Sequence, residues 1–407
     1  MSRLECTKEG LAWLQQFDSE DKADAEKLLK AFRWVSNNEF SEAIHCLLQK
    51  ELDRSANLIS IYVEKETDRN KPFFREEKKK PHTASGKPNQ AFIKDSARDI
   101  GSEGVISTIV SGFKRSKENG SIIINPTVED FKNKRIRNLI VVTDFIGTGE
   151  RICKLLYSLW LVRTIKSWVS LGWLEINIVA YSCTKDGKNK IERHPISPRI
   201  KFCLECPTIN SSFGHELDRR RIKSLCDKYD PENKKNMPSF AYNYVEALIA
   251  FEHSAPNNIP NIFYKRSNSW SPLFPNRVTT SVASEVASGY HELDSEFVLE
   301  NQRQKRIART GWLKKQSPAA KEMLTVLGAI SRKPRSIDAI SARTGIDKFR
   351  IAKIVSDAIN YEWIDETLRL TDLGHAQINY FKSIQDEKIV EREPYKDYYP
   401  SSLRVPV

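Results

Sequence analysis

The sequence predicts an α/β protein in which a parallel sheet is covered by helices, with further helices before and after it. Three observations carry this prediction. In the middle of the chain, short apolar runs typical of buried strands alternate with patterns typical of helices. Residues 8–52 contain little glycine or proline and place apolar residues at helical spacing. The last third contains a further set of helix patterns with one short pair of strands.

The predicted elements follow in chain order. Residues 8–52 predict two or three helices, residues 58–63 a short strand, and the lysine-rich stretch 64–94, which contains three prolines, a mobile loop. The next predicted elements are a helix from Ser102 to Phe113, a shorter helix capped by Thr127, a strand over Leu139–Val142, one long helix from Glu150 to about Lys166, and strands over Leu174–Tyr181 and Ile200–Cys206.

The final third predicts a small domain of its own. Its predicted elements are helices over Ser317–Ile330, Ser336–Ala342 and Asp347–Asn360, a turn at Thr344–Gly345 between the second and third helices, two short strands within Ile364–Leu370, and a closing helix capped by Thr371. This order is typical of a winged helix-turn-helix. The predicted organisation is an N-terminal helical region (1–56), an α/β domain (57–280), a basic linker (281–315), a winged helix (316–382) and an extended tail (383–407).

Composition limits the classes of protein to which the chain can belong. The 407 residues include 65 Lys and Arg against 53 Asp and Glu, a formal net charge of +12, which suits nucleic acid or a phosphate-bearing ligand as partner. No apolar stretch reaches the ~20 residues of a membrane span, and no signal core is apparent. The seven scattered cysteines predict reduced thiols in a cytoplasm. Cys203 and Cys206 have no second pair, so no metal site built by the protein alone is expected.

The basic excess is concentrated in one short segment. Residues 303–315 contain six basic residues and no acidic one, whereas residues 317–380 are almost neutral, with nine basic and eight acidic residues. The residues predicted to contact nucleic acid are Arg303, Lys305, Arg306, Arg309, Lys314, Lys315, Arg343, Lys348, Arg350 and Lys353. A solvated linker, and a winged helix used for protein contact or dimerisation, are the alternatives.

One loop combines several parts of a sugar-phosphate site. The segment LIVVTDFIGTGERI places Asp144 near the end of an apolar strand and Gly147, Thr148 and Gly149 at the start of a helix. Backbone N–H groups at a helix N-terminus bind phosphate, glycines allow a close approach, and Asp144 can accept hydrogen bonds from ribose hydroxyls. Ligands of open α/β sheets bind at the carboxyl ends of strands. An ordinary strand-to-helix turn is the alternative.

At these residues the sequence resembles the phosphoribosyltransferase-like proteins of the type I fold. Their ribose-5-phosphate loop is an apolar strand, two acidic residues, a few variable residues and then Thr-Gly. Asp144 matches the second acidic residue, and Thr148 and Gly149 match the Thr-Gly. Thr143 replaces the first acidic residue, and Gly147 stands where purine-specific members carry a base-contacting Asp. Ordinary nucleobase phosphoribosyl transfer is therefore not expected.

Further segments narrow the resemblance. FEHSAPNNIP from Phe251, WSPLFPNR from Trp270, and the start of the helix at Ser102 are similar to the phosphoribosyltransferase-like domains of bacterial conflict systems. Glu252 and His253 could contact a base or share a proton, although a turn residue and a surface histidine are the alternatives. The predicted site residues are Asp144, Glu252 and His253 for catalysis, and Ser102, Glu103, Gly104, Gly147, Thr148, Gly149, Asn257 and Asn258 for ligand and phosphate binding.

This resemblance implies a role in antiphage defence. In several conflict systems, including some retrons, such a domain is joined to a winged helix and serves as the effector. The implied protein is a cytoplasmic effector that acts on or senses a nucleotide or phosphoribosyl ligand, with Mg²⁺ accompanying that ligand. Its implied partners are retron msDNA or RNA and a reverse transcriptase, and it could form a homo-oligomer. The alternative is a non-catalytic transcription regulator that responds to a phosphoribosyl ligand, and whether the site is enzymatic is left open.

Overall fold

A computed structural model describes residues 4–55, 58–77, 80–88, 102–117, 120–232, 245–286 and 295–383. The elements up to residue 160 are α1 (Lys8–Leu14), α2 (Lys22–Lys30), β1 (Arg33–Val35), α3 (Asn37–Arg54), β2 (Ile59–Val63), β3 (Phe74–Glu77), β4 (Lys80–Pro88), α4 (Ser102–Arg115), β5 (Ile122–Ile124), α5 (Val128–Asn133), β6 (Asn138–Ile146) and α6 (Glu150–Trp160). None of the described helices combines the length and apolar character needed to cross a membrane.

The remaining elements are α7 (Arg163–Ser170), β7 (Glu175–Cys183), α8 (Lys185–Glu192), β8 (Arg199–Glu205), α9 (Ile209–Ser212), α10 (Glu216–Lys228), β9 (Ile249–Phe251), α11 (Thr280–Val286), α12 (Ser295–Asn301), α13 (Lys305–Ala308), α14 (Gly311–Lys314), α15 (Pro318–Ile330), α16 (Ile337–Thr344), α17 (Lys348–Asn360) and α18 (Asp372–Ser383). The segment predicted as a basic linker thus contains four short helices, α11 to α14.

Five strands form one parallel sheet in the order β5–β2–β6–β7–β8. Strand β2 pairs with β5 on one side and with β6 on the other, where Val63 lies opposite Val142. The chain runs from β2 to β5 and then crosses back to β6, so the direction of winding reverses between β2 and β6. The predicted parallel α/β fold is confirmed.

The sheet buries a hydrophobic core on each face. Because side chains alternate along a strand, Ile140 and Val142 pack with α3 and α4, whereas Leu139 and Val141 pack with α5 to α7. The N-terminal helices α1 to α3 share the first of these cores. The short strand β1, which the sequence did not predict, pairs in parallel with β9. The beginning and the end of the α/β region are therefore joined.

Three predicted elements differ from the structure. The helix expected from Glu150 to Lys166 is two helices, α6 and α7, because Val162 takes an extended backbone (φ −80°, ψ 103°) and buries its side chain. The loop expected over residues 64–94 contains the antiparallel pair β3–β4, and residues 78–79 and 89–94 of that segment lie outside the described residues. The strand pair expected within Ile364–Leu370 is a single bridge between those two residues.

The C-terminal helices enclose a third core. The helices α15, α16 and α17 begin directly after Ser317, Ser336 and Asp347, the first residues of the three predicted helices, and the side chain of each accepts a hydrogen bond from a backbone N–H of the first turn. Gly345 ends α16 in the left-handed conformation (φ 68°), which a glycine adopts without steric cost. These local signals explain why the sequence predicted this domain closely.

The winged helix packs against β8, an edge strand of the main sheet, through α16 and α17. The ammonium of Lys348, the first residue of α17, lies 3.1 Å from the centre of the Phe202 ring in β8 and 3.2 Å from an Asp338 carboxylate oxygen. The ammonium of Lys50 in α3 lies 3.5 Å from the centre of the Phe349 ring. The third helix of the winged helix therefore begins against the α/β domain.

Reversing the charge of Lys348 should weaken this packing. The K348E carboxylate would stand beside Asp338 and near Glu205, and Phe202 would lose its cation. We expect a loss on the order of 1–3 kcal/mol, seen in calorimetry as earlier unfolding of the winged helix. The control K353E changes an exposed residue of the same helix and should leave the unfolding temperatures unchanged. A K348E trace identical to that of the wild type would contradict the observed packing.

Candidate functional site

Two carboxylates meet where the winding of the sheet reverses. Asp144 lies near the end of β6, and Glu64 directly follows β2, where its backbone N–H donates to the carbonyl of Val142 (2.8 Å). The Thr143 hydroxyl lies between them, 3.2 Å from Glu64 Oε2 and 3.3 Å from Asp144 Oδ1. Such a reversal point is the usual ligand site of an open parallel sheet. The position supports the prediction that Asp144 faces a ligand.

Asp144 is held as an ionised acceptor. Its Oδ1 accepts a hydrogen bond from the Phe145 backbone N–H (2.8 Å), and its Oδ2 lies 3.5 Å from His253 Nε2. Burial by itself would raise the pKa of Asp144, but the hydrogen bond and charge of His253, the charge of Arg151 and a hydrogen bond from Ser102 lower it below its ordinary value. An ionised carboxylate suits the binding of ribose hydroxyls.

Glu64 is a second acidic member of the site that the sequence reasoning did not identify. Its side chain is 4% exposed, and its Oε1 lies 2.9 Å from Arg151 Nε in α6. Burial raises the pKa of Glu64 to about 7; the charge of Arg151 opposes this rise, and the charge of Asp144 adds to it. Arg151 also lies 3.3 Å from Glu103 Oε1. A signal was present, since Glu64 follows the apolar run of β2 much as Asp144 ends that of β6.

The loop between β6 and α6 is tightly packed. Gly149 precedes α6 with φ +73°, and a Cβ there would lie 2.7 Å from the Gly187 carbonyl oxygen. The Gly147 carbonyl accepts a hydrogen bond from the Thr184 hydroxyl (2.5 Å). Thr148 between them is half-buried, and its hydroxyl accepts from the Glu150 N–H (3.3 Å). The first N–H groups of α6 therefore stand beside a fixed loop, as a phosphate site requires.

The segment after β9 completes one wall of the site. His253 packs against the rings of Phe251 and Phe40, at centroid distances of 5.2 and 5.1 Å, while its Nε2 faces Asp144. Asn258 is buried against Gly147, whereas Asn257 is exposed. The structure thus brings His253 and Asn258 to the predicted loop.

Glu252 faces a different partner. Its Oε2 accepts a hydrogen bond from the Asn37 backbone N–H (2.7 Å) in the first turn of α3. A carboxylate there stabilises the helix end. The structure gives Glu252 a positioning contact with α3.

Ser102, Glu103 and Gly104 form the first turn of α4. There Ser102 hydrogen-bonds to Asp144, and Glu103 faces Arg151.

The predicted nucleic-acid residues of the winged helix are mostly engaged within the protein. Arg343 donates to the carbonyls of Ala329, Arg332 and Pro334. Lys348 packs on Phe202, Arg350 Nε donates to Glu322 Oε2 (2.7 Å), and Lys353 is exposed. In the basic segment, Arg309 pairs with Glu300 (3.1 Å) and Lys314 with Glu296 (3.8 Å), and Lys315 is exposed. Arg303, Lys305 and Arg306 are exposed together on one concave surface.

The fold and the site define a phosphoribosyltransferase-like α/β domain followed by a winged helix. A family model described as PRTase-CE matches residues 11–276, which is more than half of the chain, and a second, described as wHTH-PRTase associated, matches residues 324–405. The chain belongs to the PRTase-CE family, and the resemblance to phosphoribosyltransferase-like proteins is confirmed. Neither a curated protein nor a solved structure matches the chain.

Glu64 predicts a pH dependence of stability. Its pKa is about 7 in the folded protein against an ordinary value of 4.5, so the folded state retains a proton that the unfolded chain releases. The stabilisation is complete below about pH 4 and is lost as the pH rises through about 7, by roughly 1–3 kcal/mol. E64Q should flatten this part of the urea-unfolding profile. Burial also raises the pKa of Glu205 to about 7, so E205Q measures the part of the pH dependence that comes from that residue. An E64Q profile as steep as that of the wild type would refute the assignment of the pH dependence to Glu64.

Gly147 has no room for a side chain. A Cβ at Gly147 would overlap the side-chain amide of Asn258, so G147A must separate that segment from the loop. We expect a destabilisation of about 1–3 kcal/mol, measured by thermal unfolding. G112A, in open space on α4, should be neutral or stabilising by up to about 1 kcal/mol. Unchanged stability of G147A would show that Asn258 does not pack on the loop.

Proposed function

We propose that this protein is the effector of a retron-type antiphage system and that its phosphoribosyltransferase-like site acts on or senses a phosphoribosyl or nucleotide ligand. One observation carries the proposal: Asp144 stands beside the Gly-Thr-Gly loop at the reversal point of the sheet. His253 faces its carboxylate, and Glu64 contacts the neighbouring Thr143 hydroxyl. The family membership supports it, because the resemblance that implied the defence role is to this class of domain.

The site suggests how such a ligand would lie. The 5-phosphate would meet the backbone N–H groups of Gly147, Thr148 and Gly149, and Asp144 would accept hydrogen bonds from the ribose hydroxyls. The first turn of α4, with Glu103 in contact with Arg151, would face the other end of the ligand. Ser102 would act through its bond to Asp144.

The balance of charge in the site fits a divalent cation. Among the described residues, the carboxylates of Glu64, Glu66, Glu103 and Asp144 surround the guanidinium of Arg151, and additional positive charge would favour a phosphate in this setting. Mg²⁺ commonly binds one or two carboxylates together with ligand phosphates, and Asp144 and Glu64 would hold it. When bound, it would neutralise charge on the phosphates of the ligand.

The proposed partners follow from the second family match. A winged helix favours nucleic acid as a partner, and in the proposed system this would be the msDNA or RNA of a retron, bound together with a reverse transcriptase in the cytoplasm. Self-association of the effector is part of the proposal. Co-expression of the protein with its neighbouring genes, purification and measurement of the molecular mass by light scattering would test both the complex and the homo-oligomer.

A second candidate function is a transcription regulator that responds to a phosphoribosyl ligand. The contact that favours it is the packing of α16 and α17 on β8, because the winged helix then touches the sheet whose strand ends form the ligand site. A regulator would bind promoter DNA in a ligand-dependent manner and would protect no cell from phage. A phage challenge therefore separates the two functions.

The decisive variants are D144N and T148A. D144N removes the charge that would hold ribose hydroxyls, and we expect ligand affinity to fall tenfold or more, since a hydrogen bond to a charged group is worth about 1.5–3 kcal/mol. Protection in a plaque assay with the partner genes, and the change in nucleotide pools after infection, should both be lost. D186N, an exposed Asp at the start of α8, is the matched control. If both site variants protect as well as the wild type, the ligand-site hypothesis is wrong.

A further inference from the structure

A basic cleft lies between the α/β domain and the winged helix. It has a volume of about 470 Å³ and is lined by His215, Arg303, Gln304, Lys305, Arg306 and Lys382. Four of these six side chains are cationic, and none is acidic. His215 precedes α10, Arg303 and Gln304 lie between α12 and α13, Lys305 and Arg306 begin α13, and Lys382 belongs to α18. We infer that this cleft binds the phosphate backbone of a nucleic acid.

The cations of the cleft are available for an external anion. Among the described residues, Arg303, Lys305, Arg306 and Lys382 form no ion pair, whereas the nearby Arg309 and Lys314 pair with Glu300 and Glu296. Glu216, next to His215, is paired with Arg220. Unpaired cations gathered in a concavity raise the local concentration of polyanions.

The backbone and the surrounding charges also favour an anion. Arg303 adopts a left-handed conformation (φ 66°), rare for a residue other than glycine, in the turn that presents the three basic side chains together. Behind the cleft, Arg332 donates to the carbonyls of Asn301 and Gly214. Burial lowers the pKa of Arg332, and the charges of Arg303 and Arg219 lower it further. Positive charge is therefore concentrated beyond the lining residues themselves.

A nucleic acid fits this cleft better than it fits the third helix of the winged helix. The N-terminal end of the second helix of a helix-turn-helix motif normally reads DNA, but here Lys348 and Arg350 at the start of α17 are engaged with Phe202 and Glu322. The cleft is formed by both domains, so a nucleic acid bound there would hold them together. The inference rests on the proposed nucleic-acid partner and assigns its contact surface.

The test compares variants of the full chain by fluorescence anisotropy with a labelled single-stranded DNA and with a duplex of the same sequence, over a series of salt concentrations. R303Q/K305Q/R306Q should bind about tenfold or more weakly near physiological salt. The slope of the logarithm of the binding constant against the logarithm of the salt concentration should become less steep by about 0.7–0.9 for each phosphate that the variant no longer neutralises. K382Q, from a different element, should produce a smaller loss of affinity. K132Q/R135Q/R137Q removes three exposed cations near α5 and should bind as the wild type does.

The outcomes separate this inference from the proposed function. If the triple cleft variant binds as the wild type does while K353Q loses affinity, the cleft is wrong and α17 is the contact surface, with the nucleic-acid partner retained. If the wild type binds neither strand form, both the cleft and the nucleic-acid partner are wrong, although the ligand site at Asp144 is unaffected. Displacement of the DNA by low concentrations of inorganic pyrophosphate would assign the cleft to a small anion and overturn the inference. Should the triple variant unfold, K382Q alone decides.

Discussion

The parallel pairing of β2 with β6 is the constraint on which the site depends. It places Glu64, the residue after β2, beside Thr143 and Asp144 of β6. Two carboxylates therefore share a buried space at the carboxyl ends of these strands. Like charges at such a distance disfavour joint ionisation. Their environments therefore separate them: contacts with His253 and Ser102 favour the ionised form of Asp144, whereas burial favours the protonated form of Glu64. One site thus contains a fixed acceptor and a group that can change its protonation near neutral pH.

The N-terminal helices are part of this arrangement. Phe40 of α3 packs against His253, and Glu252 binds the first turn of the same helix. The pairing of β1 with β9 fixes α3 and the Glu252–His253 segment relative to one another. A change that displaces α3 would therefore move the histidine that faces Asp144. This physical link agrees with a family match that begins at residue 11.

How much of the site the sequence could predict depended on how local each feature is. The Asp144 loop and the helices α15 to α17 were predicted because their signals follow one another within a few residues of the chain. Glu64 was missed because its neighbour Thr143 is 79 residues away, and only the order of the strands brings them together. Glu252 and His253 are adjacent in the sequence, in the turn that follows β9, yet their side chains face different partners. One reaches α3 and the other Asp144, which a motif of consecutive letters does not reveal.

The position of α17 limits how the winged helix can act. The side chain of Lys348 is 18% exposed at its contact with β8, and this burial lowers the pKa of the ammonium although Asp338 opposes the shift. A helix that inserts its first turn into a major groove needs that same turn free. Reading DNA through α17 and packing on β8 therefore exclude one another, since the two partners compete for one helix end. The cleft of Arg303, Lys305 and Arg306 lies elsewhere on the surface, so a nucleic acid bound there is compatible with the packed arrangement and would stabilise it.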